Sequence, residues 1–407
     1  MAASVANQAA VPKASNLLTD GADQPAPTEY ANGSIHPAGE SAEPTKLQDQ
    51  QDPSLNNSKT TESELDNGVA ADAAKAPGVV KTPFVEPLPE SQCDPPPQLT
   101  AEQEAKYQDL LSTVRSWTTI PNTSGKNSPT APLTDDERLW LTRECLLRYL
   151  RAVKWSAVEA PKRLRGTLTW RREYGVAKHT ADYISPENET GKQVLLGYDV
   201  KARPCLYLIP SRQNTKRTDR QVQHLVFMLE RVIDLMVPGQ DSLSLFINYK
   251  DSSSGEVPSV SQGREVLSIL QTHYPERLGR AYVINLPWYV NGFFKLISPF
   301  IDPLTREKLR FNEDLRPHVP PAQLLSTMGG QVEFAYDHAT YWPALTKLAE
   351  GRRKAQEERW IRGGKKIGES EIYLRGGEAN SIAETEDTST TPDATVANDD
   401  KGGSSGV

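Results

Sequence analysis

Two short apolar runs separated by a segment of helical period constrain the fold of this chain more than any other feature. Leu243–Tyr249 is almost continuously apolar, as expected of a strand covered on both faces. Val260–Thr272 repeats with a helical period, and Ala281–Leu286 is a second buried strand. Two further β-rich runs, Gln193–Tyr198 and Cys205–Ile209, precede them across a turn-prone Asp199–Pro204. A helix over Asp219–Val237 lies between, and Leu309–Phe311 is a last strand. Helices that alternate with buried strands imply an α/β domain with a mainly parallel sheet and right-handed crossovers.

Upstream the pattern is helical. Thr100–Trp117 spaces Tyr107, Leu110, Leu111, Val114 and Trp117 as a helix does. Thr134-Asp-Asp-Glu137 reads as a capping box opening a helix that buries Leu139, Leu146, Tyr149 and Leu150. Ser156-Ala-Val-Glu159 reads as a second, with Val158, Leu164, Leu168 and Trp170 behind it and an end near Tyr174-Gly175. Downstream, Ala335 to about Arg362 predicts a long charged helix. The expected division is residues 1–98 disordered, 99–178 a helical lobe, 179–345 the α/β domain, 346–376 a helical extension and 377–407 a disordered tail.

Charge is unevenly spread. Residues 1–100 hold 14 Asp and Glu against 5 Lys, and residues 377–407 hold 7 acids against 1 Lys. With −7 over the whole chain, residues 101–376 carry about +8, a basic middle between acidic ends. Such a surface attracts phosphates. Few aromatics in residues 1–98 leave too little apolar area to offset the entropy of ordering, and the proline-rich run Pro83–Pro97 reads as an extended linker.

Most chemistry is excluded by pattern. Three cysteines, Cys93, Cys145 and Cys205, show no paired spacing, which argues against a disulfide framework or a zinc site. No secretory leader and no apolar run of bilayer-spanning length are expected. None of the Gly-Lys pairs continues into Ser or Thr as a P-loop does, and there is no Gly-x-Ser-x-Gly elbow or His-Glu-x-x-His pair. Cys205 meets Arg212 one residue too late for a cysteine phosphatase. Ser252–Gly255 reads as a plain loop. An enzyme with side-chain chemistry is not expected, nor a metal or cofactor, nor nucleic acid as a partner.

What remains is Tyr274–Phe311, too apolar for a surface and too interrupted for a membrane span. Leu146-Leu-Arg-Tyr-Leu-Arg-Ala-Val-Lys-Trp155, with the helix ending Trp170-Arg-Arg-Glu-Tyr-Gly175, resembles the helical lobe of the CRAL-TRIO (Sec-fourteen-like) lipid-transfer family. Tyr274-Pro-Glu-Arg-Leu-Gly279, Tyr282-Val-Ile-Asn-Leu-Pro287, Pro299-Phe-Ile-Asp-Pro303 and Gly329-Gly330 resemble its lipid-binding domain, over about residues 100–345. The match is nearest to the fungal phosphatidylinositol-transfer branch.

That resemblance implies a hydrophobic pocket floored by the sheet and gated by helices, with no covalent chemistry. It assigns Glu276, Lys308, Thr305 and Lys154 to the inositol phosphate headgroup. Leu243, Leu245, Ile247 and Ile284 become the floor, and Phe293, Phe294, Leu296, Ile297 and Phe300 the gate and membrane-facing surface. Val153 stands where related chains carry a further cation. Leu243 and Leu245 stand where hydroxyls would reach the phosphate of a choline lipid, so phosphatidylcholine binding is expected to be weak. A sterol is the alternative second ligand, and a lipid-sensing regulator without transfer is the alternative function. The implied protein is a cytoplasmic monomer, peripheral to membranes or lipid droplets, with membrane surfaces, phospholipid and lipid kinases as partners.

Overall fold

The computed structural model describes residues 78–384. Helix α1 (Ala101–Arg115) opens at Thr100, whose side chain accepts from Gln103 N–H while Gln103 reaches back, a reciprocal cap. A small antiparallel pair follows, β1 (Thr119–Pro121) with β2 (Thr130–Pro132). Thr134 and Glu137 form the expected capping box for α2 (Asp135–Trp140). The single helix expected here is two: Thr142 caps a separate α3 (Arg143–Ala152). That break leaves Leu139 only half-buried.

Helix α4 (Glu159–Tyr174) ends on Gly175, whose φ of 76° lies in the left-handed region that glycine enters without strain. Its start corrects two expectations. The Ser156 hydroxyl does accept from Glu159 N–H, but the helix proper begins only at Glu159, and Val158 is 62 % exposed rather than core. Tyr107, Leu110, Val114, Leu146, Leu164 and Leu168 build the lobe's own core.

The α/β part runs from α5 (Ala181–Ile184) through β3 (Gln193–Tyr198), β4 (Pro204–Leu208), α6 (Asp219–Asp234), β5 (Leu243–Asn248), α7 (Val260–His273) and β6 (Leu278–Ile284). Then come α8 (Trp288–Ile297), α9 (Pro303–Arg306), β7 (Leu309–Phe311), α10 (His338–Arg362) and α11 (Glu371–Leu374). The sheet is ordered β3-β4-β5-β6-β7, antiparallel at the first pair and parallel at the other three. Every parallel crossover steps the same way. Right-handed connections therefore stack α6, α7 and α8 on one face. On the other face Tyr207, Phe246 and Tyr282 stack in a row, closed by His318.

Two boundaries differ from the sequence reading. Residues 80–94, expected to be disordered, form a strap along the domain. Val80 bridges to the chain at Phe334, and Gln92 N–H donates to Val200 O at 3.2 Å. Tyr198 and Arg352 both donate to Val85 O, and Gln323 donates to Glu86 O. The sequence gives little sign of this because the strap is held by backbone carbonyls, which any residue supplies, and by ion pairs of Glu86 and Asp94 to residues more than 100 positions away. Residues 377–384 pack as well: Ser381 is 2 % exposed and donates to Glu369 at 2.6 Å. The expectations for residues 1–77 and 385–407 fall outside the described residues. The boundary at 345/346 cuts through α10, which is continuous.

Candidate functional site

Parity along the strands decides which residues face the helices. Successive side chains alternate between faces, and paired residues in a ladder share one. Leu206 pairs with Leu245, which pairs with Ala281, while Leu208 pairs with Ile247, which pairs with Val283. Val283 and Ile247 cluster with Val290 of α8, so this is the helix-covered face. Leu243, Leu245 and Ile247 share it. Ile284 does not: it pairs with Asn248, in step with Phe246 and Tyr282 on the opposite face. The floor residue on β6 is Val283, and the assignment of Ile284 is corrected. The apolar run Ala281–Leu286 contains no polar residue before Asn285 to betray its phase.

The covered face is not fully sealed. Leu208, Leu245, Val266 and Leu270 pack against the core yet keep part of their surface open, and so do Ile247 and Phe294 at its edge. A leucine on the central strand of a five-stranded sheet, under helices, is accessible only if the layer above stands off. Leu243, 4 % exposed, is sealed into the floor's end.

Helix α8 forms much of that layer. Its inner side approaches α7 so closely that a Cβ on Gly263 would lie 2.9 Å from the Phe293 ring. Ile297 meets the same spot and is 5 % exposed. Phe294 packs edge-on against Phe311 at 5.3 Å. The outer side is bare: Trp288 is 83 %, Leu296 61 %, Leu304 70 % and Phe300 41 % exposed. Of the five residues assigned to the gate, Leu296 and Phe300 face outward while Phe293, Phe294 and Ile297 face neighbouring elements. Trp288 and Leu304 complete the outer surface and were missed, although a tryptophan opening an apolar helix was a visible signal.

At the strands' N-terminal ends lie the polar residues. Glu276 has a left-handed φ of 61°, costly for a residue with a Cβ. Its carboxylate accepts from Arg151 Nε at 2.6 Å. Arg151 also sits 3.6 Å from Asp241. The partner of Glu276 is thus on α3, and no ion pair joins it to Lys308 within 4 Å. Lys308 donates instead to Leu278 O at 2.6 Å. Burial lowers the Lys308 pKa, and the charges of Glu276 and Asp302 oppose that shift.

Thr305 is presented by Asp302, which caps α9 through Thr305 N–H at 2.9 Å and is itself held by Gln271 of α7. Lys154 is exposed in a left-handed turn after α3, and its ammonium has no hydrogen-bond or ion-pair partner among the described residues. Arg151 is the member of this cluster that the sequence reading does not include. Its signal was the spacing Arg148, Arg151, Lys154, three cations one helical turn apart. An ammonium, a guanidinium, a carboxylate and a hydroxyl at the end of an apolar floor suit a ligand that joins a phosphate and a polyol to hydrocarbon.

Parts of the chain are similar to known proteins. Residues 106–166 match the CRAL/TRIO N-terminal domain, and residues 188–330 match the CRAL/TRIO domain. A CRAL-TRIO domain-containing protein of Schizosaccharomyces pombe is 56 % identical over 295 residues, 72 % of this chain and 29 % of that protein, so the match spans under a third of that relative. The phosphatidylinositol transfer protein PDR17 of Saccharomyces cerevisiae is 37 % identical over 306 residues, 72 % of this chain and 86 % of that protein. The SEC14 cytosolic factor of Candida glabrata is 27 % identical over 212 residues, 46 % and 70 % of the respective chains. The crystal structure of Sfh5 matches 64 % of this chain and 99 % of its own with 15 % identity and a TM-score of 0.47.

Proposed function

The chain belongs to the CRAL-TRIO family, and on that premise we propose that it takes phosphatidylinositol into an apolar cavity and carries it between membranes. The observation that carries the reading is the half-open floor at Leu245 and Ile247, ending at the Arg151–Glu276–Lys308 cluster. Each methylene exposed to water costs roughly 0.8 kcal/mol, so a two-chain lipid leaves a bilayer slowly unless something covers its tails. Lys308 and Arg151 face the phosphate, Glu276 and Thr305 the inositol hydroxyls, and Lys154 is a free cation at the lobe's edge. A relative with 37 % identity carries the name of a phosphatidylinositol transfer protein.

Trp288, Leu296, Phe300 and Leu304 supply the surface that dips into the bilayer, with exposed Lys295 and Arg306 beside them for anionic headgroups. No described helix is long and apolar enough to cross a membrane. The protein acts as a cytoplasmic monomer on membrane or lipid-droplet surfaces and hands its lipid to kinases that make phosphoinositides. It has neither catalytic residues nor a nucleic-acid partner.

One observation favours a second ligand. The only hydroxyl on β5, Ser244, lies on the face away from the helices and donates to Asp199 at 2.7 Å. The floor therefore offers no hydroxyl to a choline lipid and suits a flat apolar molecule such as a sterol. The test is transfer of labelled phosphatidylinositol between vesicles by the wild type and by the Glu276→Ala, Lys308→Ala double variant. A loss of about tenfold or more is expected from removing charge-assisted hydrogen bonds. Unchanged transfer overturns the headgroup assignment, and sterol transfer that survives in the same variant supports the second ligand.

A further inference from the structure

The headgroup cluster is fixed from behind by a part of the chain beyond residue 330, where the CRAL/TRIO match ends. Helix α3 carries Arg148 and Arg151 three positions apart; Arg151 holds Glu276. Arg148, 3 % exposed, donates through Nη2 to Glu371 Oε1 of α11 at 2.7 Å. The residue after Glu276, Arg277, is 7 % exposed, and its Nη2 lies 3.8 Å from that same oxygen. Arg375 pairs with Glu371 Oε2 at 2.7 Å, and Thr142 donates to Oε1 at 2.8 Å. One carboxylate thus ties together the two elements that carry Arg151 and Glu276.

The arrangement has a directional logic. Arg277 is drawn toward α11, and Glu276 beside it turns the other way through its left-handed backbone. Such a conformation persists only where the surroundings over-determine it. Here the determinants are Arg277 in the buried cluster, its Nη1 bond to Asp241 O at 2.9 Å, and the Arg151 pair. Glu144 supplies a second carboxylate, accepting Glu371 N–H at 2.7 Å. Burial alone would raise the Glu371 carboxyl, but Arg148, Arg375 and Arg277 hold it well below the ordinary carboxylate range. Burial and the neighbouring Arg148 bring the Arg277 guanidinium down to about 10. Without Glu371, mutually repelling guanidiniums are left buried with one acid fewer.

We propose that Glu371 is a positioning residue for headgroup recognition: through Arg148 and Arg277 it sets the geometry of the Arg151–Glu276 pair, so the C-terminal segment tunes which lipid is held. This rests on the headgroup reading above. To test it, the full-length wild type, Glu371→Gln, Glu276→Gln and the double variant are loaded from vesicles of phosphatidylinositol and phosphatidylglycerol in equal parts. Those lipids match in charge and differ in the inositol ring. Bound lipid is weighed by mass spectrometry.

Glu371→Gln is expected to lower the inositol-to-glycerol ratio about fivefold, the size of effect that a residue without ligand contact exerts through coupling. The double variant is expected to fall no further than Glu276→Gln alone, since one residue acts through the other. A ratio that falls for Glu276→Gln and holds for Glu371→Gln overturns the inference, whatever happens to total lipid. A ratio unmoved by Glu276→Gln overturns the headgroup reading itself. Glu371→Asp retains the buried charge but withdraws it by one methylene, and covers the case in which Glu371→Gln does not fold. Its ratio is expected to fall about twofold, and an unchanged ratio counts against the proposal.

Discussion

On one face of the central strand β5, Ser244, Phe246 and Asn248 are 0 %, 0 % and 8 % exposed. On the other, Leu245 and Ile247 keep part of their surface open. The sealed face includes a serine and an asparagine, and the open one is aliphatic. Hydrophobicity therefore did not decide which face closed; the covering layer did. Ser244 is sealed at little cost because Asp199 accepts its hydroxyl hydrogen, and Asn248 accepts from Lys250 N–H and from Asn285. Leu245 and Ile247 are the reverse case, aliphatic surface left partly open under the covering layer. On the proposed reading, one face stabilises the domain and the other receives the lipid.

Three changes would break or sharpen that contrast. Phe246→Ala strikes the sealed aromatic row and is expected to cost about 3–5 kcal/mol, measured by denaturant unfolding. A cost near that of a surface substitution would show that this face is not the stabilising one.

A smaller effect concerns how the open side is anchored. Helix α7 ends at His273, which stacks on Trp170 of α4 at 4.1 Å and meets the Thr167 hydroxyl at 3.1 Å. Burial, with Arg163 and Arg171 nearby, lowers its pKa from 6.5 to about 4. Between those values the unfolded chain takes up a proton that the folded ring refuses. The stability is thus complete above pH 6.5 and declines as the pH falls toward 4. Thermal melts should show the decline, and His273→Gln should remove its share of the slope. An identical slope in the variant would mean that α7 is anchored in some other way.

The smallest effect on stability is expected from Leu245→Phe, within about 1 kcal/mol because added bulk enters open space instead of a packed core. Bound lipid should nonetheless fall, as measured by extraction after vesicle loading. A large loss of stability with normal loading would invert the assignment of the two faces.

Much of this was legible in the residues. Thr134 announced its helix by side-chain chemistry that acts within four positions, the helix after Thr100 announced itself by its apolar spacing, and the strands between Gln193 and Phe311 by apolar runs. The phase of a run was harder to read. Ile284 and Val283 are adjacent aliphatics, and only the register with β5, irregular at Leu243/Ser244, separates floor from back. Arg151 was hidden for another reason. Its role depends on Glu276, 125 positions away, adopting a backbone conformation that no local rule favours. Both misses concern long-range geometry, whereas the cap and the spacings concern neighbours along the chain.

The strap over residues 80–94 has a consequence for the order in which the molecule assembles. Arg352 and Val85 meet across 267 positions of chain. Each strand of the sheet, by contrast, pairs with the next one along, so its closures are short and entropically cheap. The strap's anchors at Val200, Gln323, Glu333 and Arg352 exist as a surface only after the domain has formed. Although it leaves the ribosome before every strand of the domain, it is the piece that seats after them.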